Sequence, residues 1–201
     1  PPRLSLAIRG VGGQGNLFFG KVLAQVAFLA GYDDRNILKG ETHGMAQMGG
    51  PVISTFGCGE VFRPALVPGT ANVLIAMEKA EVLRPGFLDL LEPGGTVLMA
   101  DTRILPHGLK PEAYPSDEAI AAQLEGYRVV SVDVLSIALN LGDPKGRCAN
   151  VAMLGVLSTL PPFDVVPEAV WLQALRGISR KPALWDLNHA AFMAGRGMQK
   201  G

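Results

Sequence analysis

Two short stretches carry most of the residues that could do chemistry. The first is Gly10-Val11-Gly12-Gly13-Gln14-Gly15, in which Gly10, Gly12 and Gly15 fit the G-x-G-x-x-G spacing. Glycines at these positions let backbone N–H groups approach an anion closely, and a helix starting there adds about half a positive charge. The pattern departs from a dinucleotide site. That site wants an acid about 20 residues on, at the end of the second strand, to hold a ribose. Asp33 and Asp34 precede the expected second strand, and Glu41 follows it too far along. The loop therefore reads either as an anion cradle or as a tight strand-to-helix turn. The second stretch, Glu41-Thr42-His43-Gly44-Met45-Ala46-Gln47-Met48-Gly49-Gly50, combines a carboxylate, a hydroxyl, an imidazole, an amide and two thioethers. Glu41, Thr42, His43 and Gln47 are its candidate polar contacts, with Gly44 giving freedom and Met45 and Met48 adaptable packing. His43 also reads as an ordinary loop histidine, since one histidine alone specifies no catalysis. His43, His107 and His189 are dispersed and lack metal-ligand spacing.

The elements that must position these loops follow from periodicity. Leu4–Ile8 reads as a buried strand, and Leu17, Val22, Val26 and Leu29 recur at helical spacing before a cap at Gly31. Asn36–Leu38 is a second strand, and Gly40–Pro51 a loop. Val52–Phe56 is strand-like, with a turn at Gly57–Glu60 and a return strand at Val61-Phe62 that makes a hairpin. Asn72–Met77, Thr96–Ala100 and Arg128–Val132 are further strands, with helices expected over Lys79–Leu91 and, behind the Ser116 cap, Asp117–Leu124. From Val134 onward only helices are expected, at Val134–Leu141, Asn150–Leu160, Pro167–Ile178 and Leu184–Met193. The whole chain, 1–201, reads as one α/β domain. Its sheet is doubly wound, mostly parallel and Rossmann-like, with an inserted β-hairpin and a helical C-terminal tail. In such a sheet, loops at the carboxyl ends of strands line the ligand crevice, so the two stretches should stand side by side.

Composition narrows the partners. The 201 residues include 18 basic and 18 acidic side chains, so nucleic acid is a poor partner. No apolar run is long enough for a membrane span, and Pro1-Pro2-Arg3 leads into a strand without a signal-peptide pattern. The two cysteines, Cys58 and Cys148, form no CxxC pair, which fits a reducing cytoplasmic setting and supplies too few thiolates for an Fe–S cluster. Trp171, Trp185 and Phe192 in the tail could form an apolar docking face or simply close the domain's own core.

Taken together, the two loops resemble the gamma subunit or gamma domain of 2-oxoacid:ferredoxin oxidoreductases. Gly31-Tyr32, Ala71–Ala76, Pro93–Val97 and Asn150–Gly155 extend the likeness from about Leu4 to Phe192. The His-Gly-Met-Ala-Gln form is similar to the indolepyruvate branch, although Met48 stands where the family commonly carries arginine. The resemblance implies a subunit of an enzyme that decarboxylates a 2-oxoacid on thiamine diphosphate. Electrons leave through Fe–S clusters to ferredoxin, and the acyl group goes to coenzyme A. It implies no catalytic residue and no cofactor bound by this chain alone. Thiamine diphosphate and the clusters reside on alpha- and beta-type partner subunits. The polar loop at Glu41, Thr42, His43, Gly44, Met45 and Gln47 would face those partners. The cradle at Gly10, Gly12, Gly13, Gln14 and Gly15 would take an anion of the coenzyme A type. The alternative is a stand-alone Rossmann-type nucleotide-binding reductase, which rests on the glycine loop only.

Overall fold

The computed structural model describes residues 1–10, 13–43, 52–60, 67–105 and 107–198, with the side chains of Gln14, Asn16, Thr42, His43 and Val52 left aside. Among the described residues six strands form one sheet: β1 (Leu4–Arg9), β2 (Ile37–His43), β3 (Val52–Cys58), β4 (Ala71–Ala76), β5 (Leu91–Ala100) and β6 (Arg128–Val132), in the order β2-β3-β1-β4-β5-β6. β1, β4, β5 and β6 pair in parallel, while β3 runs antiparallel to both β1 and β2. The sheet is thus mixed, with β3 reversed, and the inserted hairpin is β2–β3. The return strand expected at Val61-Phe62 lies outside the described residues.

Three sequence expectations shift. Residues Gly40–His43, read as loop, continue β2, and Gly57-Cys58, read as a turn, complete β3. Both segments pair across the hairpin from Ile37↔Cys58 to His43↔Val52, so tertiary pairing overrides the weak strand preference of glycine. The helix expected over Lys79–Leu91 is instead two short 3-10 turns, Lys79–Leu83 and Leu88–Leu90, and Leu91 already opens β5. Pro85 is the cause. It pushes the residue before it out of the helical region, and Arg84 has ψ 129.

The helices are α1 (Gly13–Leu29), α2 (Asp117–Gln123), α3 (Val134–Asn140), α4 (Ala149–Leu157), α5 (Glu168–Ile178) and α6 (Pro182–Gly197). Leu4, Leu6 and Ile8 of β1 point to a core shared with α1, α4, α5 and α6, while Ala7, Leu74 and Val97 point to a smaller core closed by Val82, Phe87, Ile120 and Leu124. Alternating side chains of a central strand thus bury apolar surface on both faces. Helix α4 is buried almost all round because it packs against α6, α3 and α1. The α4–α6 crossing is backbone-close: a Cβ on Gly195 would sit 2.0 Å from the Ala152 carbonyl oxygen, and one on Gly155 2.1 Å from that of Phe192. Trp171 and Phe192 are buried with ring centroids 6.2 Å apart, so these two aromatics close the domain's own core. Trp185 is half-buried beneath the Arg176 guanidinium at 4.8 Å.

Candidate functional site: the carboxyl end of the sheet

β1 ends at Arg9, and the chain turns at Gly10 with φ +82, a region that costs an L side chain about 1–2 kcal/mol. Space is tight as well. A Cβ at Gly10 would lie 3.1 Å from Glu81 Cγ and 3.4 Å from the Glu78 amide nitrogen. Helix α1 begins at Gly13 with no acidic residue in its first turn, so its own first turn supplies no carboxylate to its positive end. Gly12 lies outside the described residues, and Gln14 enters by its backbone alone.

Register places the second loop at the same end of the sheet. Ile8 of β1 pairs with Ser54 of β3, which pairs with Glu41 of β2, and His43 pairs with Val52 two positions further on. The chain therefore leaves β2 on the side where it leaves β1, two strand spacings or about 10 Å away. Glu41 is exposed there, and Thr42 and His43 are the last strand residues. Gly44, Met45 and Gln47 lie outside the described residues. The acids weighed for a ribose sit elsewhere. Asp33 and Asp34 precede β2 at the opposite end, where Asp33 binds Arg35 at 2.6 Å and its carboxyl is held at about 2 by those hydrogen bonds.

The parallel neighbour of β1 completes the site. β1 and β4 flank the point where the chain switches from building one half of the sheet to the other, which is where open α/β sheets hold ligands. A crevice of about 440 Å³ opens there, lined by Gly10, Glu78, Glu81, Arg84, Ile104 and Tyr114 among others. Arg9 and Glu81 form a buried ion pair at 2.9 Å, the Arg84 guanidinium approaches the same carboxylate at 3.6 Å, and Arg9 lies over the Phe87 ring. Glu78 is buried. Its carboxylate accepts hydrogen bonds from the Ala80 and Ile104 amides at 3.1 and 3.4 Å and from the Tyr114 hydroxyl. Burial pushes the Glu78 carboxyl above its ordinary value, against the amide bonds that lower it. The crevice thus offers a glycine-lined backbone, one partly exposed arginine, a buried carboxyl, and an apolar lip at Ile104 and Leu109.

The expected site residues divide between two concavities. Gly10 belongs to the crevice. Glu41 belongs to a separate pocket beneath α1. Sequence reasoning missed Arg9, Glu78, Glu81, Arg84 and Tyr114. Glu78 carried a readable signal, an acid directly after a buried parallel strand. Tyr114 and Ile104 sit in a proline-rich connection that offered none.

The family model for pyruvate ferredoxin/flavodoxin oxidoreductase matches residues 5–198. The chain belongs to that family. The indolepyruvate oxidoreductase subunit IorB of Thermococcus kodakarensis is 33% identical over 197 residues, covering 95% of this chain and 93% of that one. The gamma subunit of a keto/oxoacid ferredoxin oxidoreductase from Geobacter sulfurreducens shares the fold at TM-score 0.67 and 20% identity, covering 96% of this chain and 95% of that one. A 2-oxoglutarate:ferredoxin oxidoreductase of Magnetococcus marinus contains the same fold at TM-score 0.72 and 19% identity, covering 100% of this chain and 31% of that one. As a family member this chain is a subunit of a 2-oxoacid:ferredoxin oxidoreductase complex. Its own thiols do not fit an Fe–S cluster. Cys58 and Cys148 are both buried, and burial pushes their pKa values to about 12 and about 11, so neither offers a thiolate. Among the described residues no group of three or more His, Cys, Asp or Glu converges on one point, and no helix is long and apolar enough to cross a membrane.

Proposed function

We propose that this chain is the gamma-type subunit of an oxidoreductase of the indolepyruvate branch. In this reading it presents the carboxyl end of its sheet to thiamine-diphosphate-binding partner subunits and does no catalysis alone. The observation that carries this is the register, which brings the chain out of β1 and β2 at one end of the sheet. In such a complex thiamine diphosphate supplies the decarboxylation chemistry, Fe–S clusters the route for electrons to ferredoxin, and coenzyme A the acyl acceptor. This chain's residues bind and position. The Gly10 turn, which a Cβ would fill, and the positive end of α1 at Gly13 and Gly15 fit a phosphate of coenzyme A, with Arg84 as counter-charge. The Magnetococcus marinus enzyme, whose structure carries bound coenzyme A, lends support. Glu41, Thr42, His43 and Gln47 supply polar contacts toward the partner, and Met45 and Met48 adaptable packing.

Purification of the tagged chain from its native extract tests the proposal. A thiamine-dependent partner co-purifies, and the complex reduces ferredoxin with an aryl 2-oxoacid and coenzyme A. A chain that runs as a free monomer, with no such partner, overturns it.

A further inference from the structure

The outer rim of β2 has no part in that function. β2 closes one edge of the sheet, and among the described residues no strand pairs beyond it. A strand with one antiparallel neighbour turns the N–H and C=O of every second residue away from that neighbour. Such a rim is a template for another chain, and natural edges are blunted by brevity, proline, a bulge or an edge lysine. β2 runs seven residues, Ile37–His43, without proline and in unbroken register with β3. Its one blunting side chain is Lys39, and Glu41 follows two positions later on the same face. Both are exposed. That face lies on the α1 side, since a Cβ on Gly20 of α1 would meet Lys39 Cδ at 3.4 Å.

Charge selects the register for a second copy. Two copies related by a dyad normal to the sheet pair antiparallel with the same face up, so the dyad passes through one residue of each strand. Centred on Lys39, the pairing sets lysine against lysine. Centred on Glu41, it sets carboxylate against carboxylate. Centred on Gly40, the whole of β2 pairs, and Lys39 stands opposite Glu41 twice. Opposite charges directly across neighbouring strands stabilise the pairing and like charges destabilise it. Backbone register alone brings these partners together, with Cβ atoms about 5 Å apart. The helix above continues the match. Leu17, Lys21, Ala24 and Phe28 form one stripe at helical spacing and line the two hollows they share with Ile37, Lys39 and Glu41. Leu17 is 59% exposed and Phe28 54%. The same dyad turns this stripe toward its mate.

We propose that the β2 rim pairs with the β2 rim of a second copy of this chain, antiparallel about Gly40, with Lys39 of each copy opposite Glu41 of the other. The two α1 stripes cover the face above the seam. Glu41 thereby meets a second copy, while the Gly10 turn and the Glu78 crevice stay open to thiamine-binding subunits. The pairing does not depend on the subunit assignment.

Sedimentation velocity of the full chain reads the association, and the chain runs as a dimer. Lys39→Glu and Glu41→Lys each turn two opposite-charge pairs into two like-charge pairs, and each weakens the dimer about tenfold or more. The double variant Lys39→Glu/Glu41→Lys restores it. Mixing the two single variants restores it as well, since each then pairs with the other. Leu17→Gln, on the exposed helix face, weakens the dimer too. The proposal is overturned by a chain that stays monomeric, by a dimer that the single exchanges leave intact, or by a double variant no tighter than the single ones. It is overturned equally if the exchanges release a thiamine-dependent partner and no dimer exists, which gives the rim to that partner. A dimer that recruits no thiamine-dependent partner sinks only the subunit reading.

Discussion

Gly10 and Gly86 share the same backbone angle, φ +82, yet differ in what surrounds them. At Gly86 nothing lies within 4 Å of an added Cβ, whereas at Gly10 the Cβ meets Glu81 Cγ at 3.1 Å. Gly86→Ala therefore measures the conformational cost alone, about 1–2 kcal/mol. Gly10→Ala carries the same cost plus displacement of a carboxylate that is only 12% exposed and tied to Arg9 at 2.9 Å. Overpacking of this kind adds about 1–3 kcal/mol. At about 2–4 °C per kcal/mol for a domain of this size, Gly10→Ala should melt about 2–12 °C below Gly86→Ala. Thermal unfolding followed by circular dichroism reads the difference directly. Equal melting temperatures for the two variants would show that Glu81 does not crowd the turn and that the crevice does not require glycine there for space.

Other expectations follow from the same contacts. Gly195→Ala pushes a Cβ to 2.0 Å from the Ala152 carbonyl oxygen, so α4 and α6 must separate. A loss of at least about 3 kcal/mol is expected in denaturant titration, and an unchanged midpoint would rule out the close crossing. Glu78 holds its proton to higher pH folded than unfolded, because burial raises its pKa above the ordinary 4.5. The stability this contributes is complete below pH 4.5 and is lost as pH rises through the native value. Glu78→Gln, neutral throughout, should flatten that decline, and an identical pH slope in both proteins would contradict the burial effect. Cys58 and Cys148 should resist iodoacetamide at pH 8 in the folded chain and react on unfolding, since burial raises both pKa values, to about 12 and about 11. Fast alkylation of either thiol in the native state would show that it is not buried.

The family-like segments proved informative for different reasons at the two ends of the sheet. At the amino end they hold the fold together. The Tyr32 hydroxyl donates to the Pro2 carbonyl at 2.7 Å, and the Asn72 side chain accepts from the Ser5 amide at 2.8 Å while donating to Glu92 at 2.7 Å. Gly155 serves the α4–α6 crossing. At the carboxyl end Gly10 serves the crevice. Strands with unbroken apolar runs were legible because β1 and β4 are buried along their whole length. β2 was legible only at its start, because Gly40 and Glu41 lack strand preference and are held by pairing with β3. The Lys79–Leu91 segment has helical composition, yet Pro85 and Gly86 break it, and a rule applied to Pro85 would have found this. The crevice walls from β4 and from the 102–115 connection depended on strand order, which one-dimensional periodicity does not contain. The Arg9–Glu81 pair joins residues 72 positions apart and left no local trace.

Hydrogen exchange on the chain, alone and within its purified complex, puts the functional end of the sheet to the most direct test. Amides of the peptides covering Gly10–Leu17 and Glu41–Val52 should gain protection together on assembly, while Asp33–Asn36 and Gly94–Gly95 at the other end exchange as before. Protection confined to that other end, with the two loops unchanged, would contradict it.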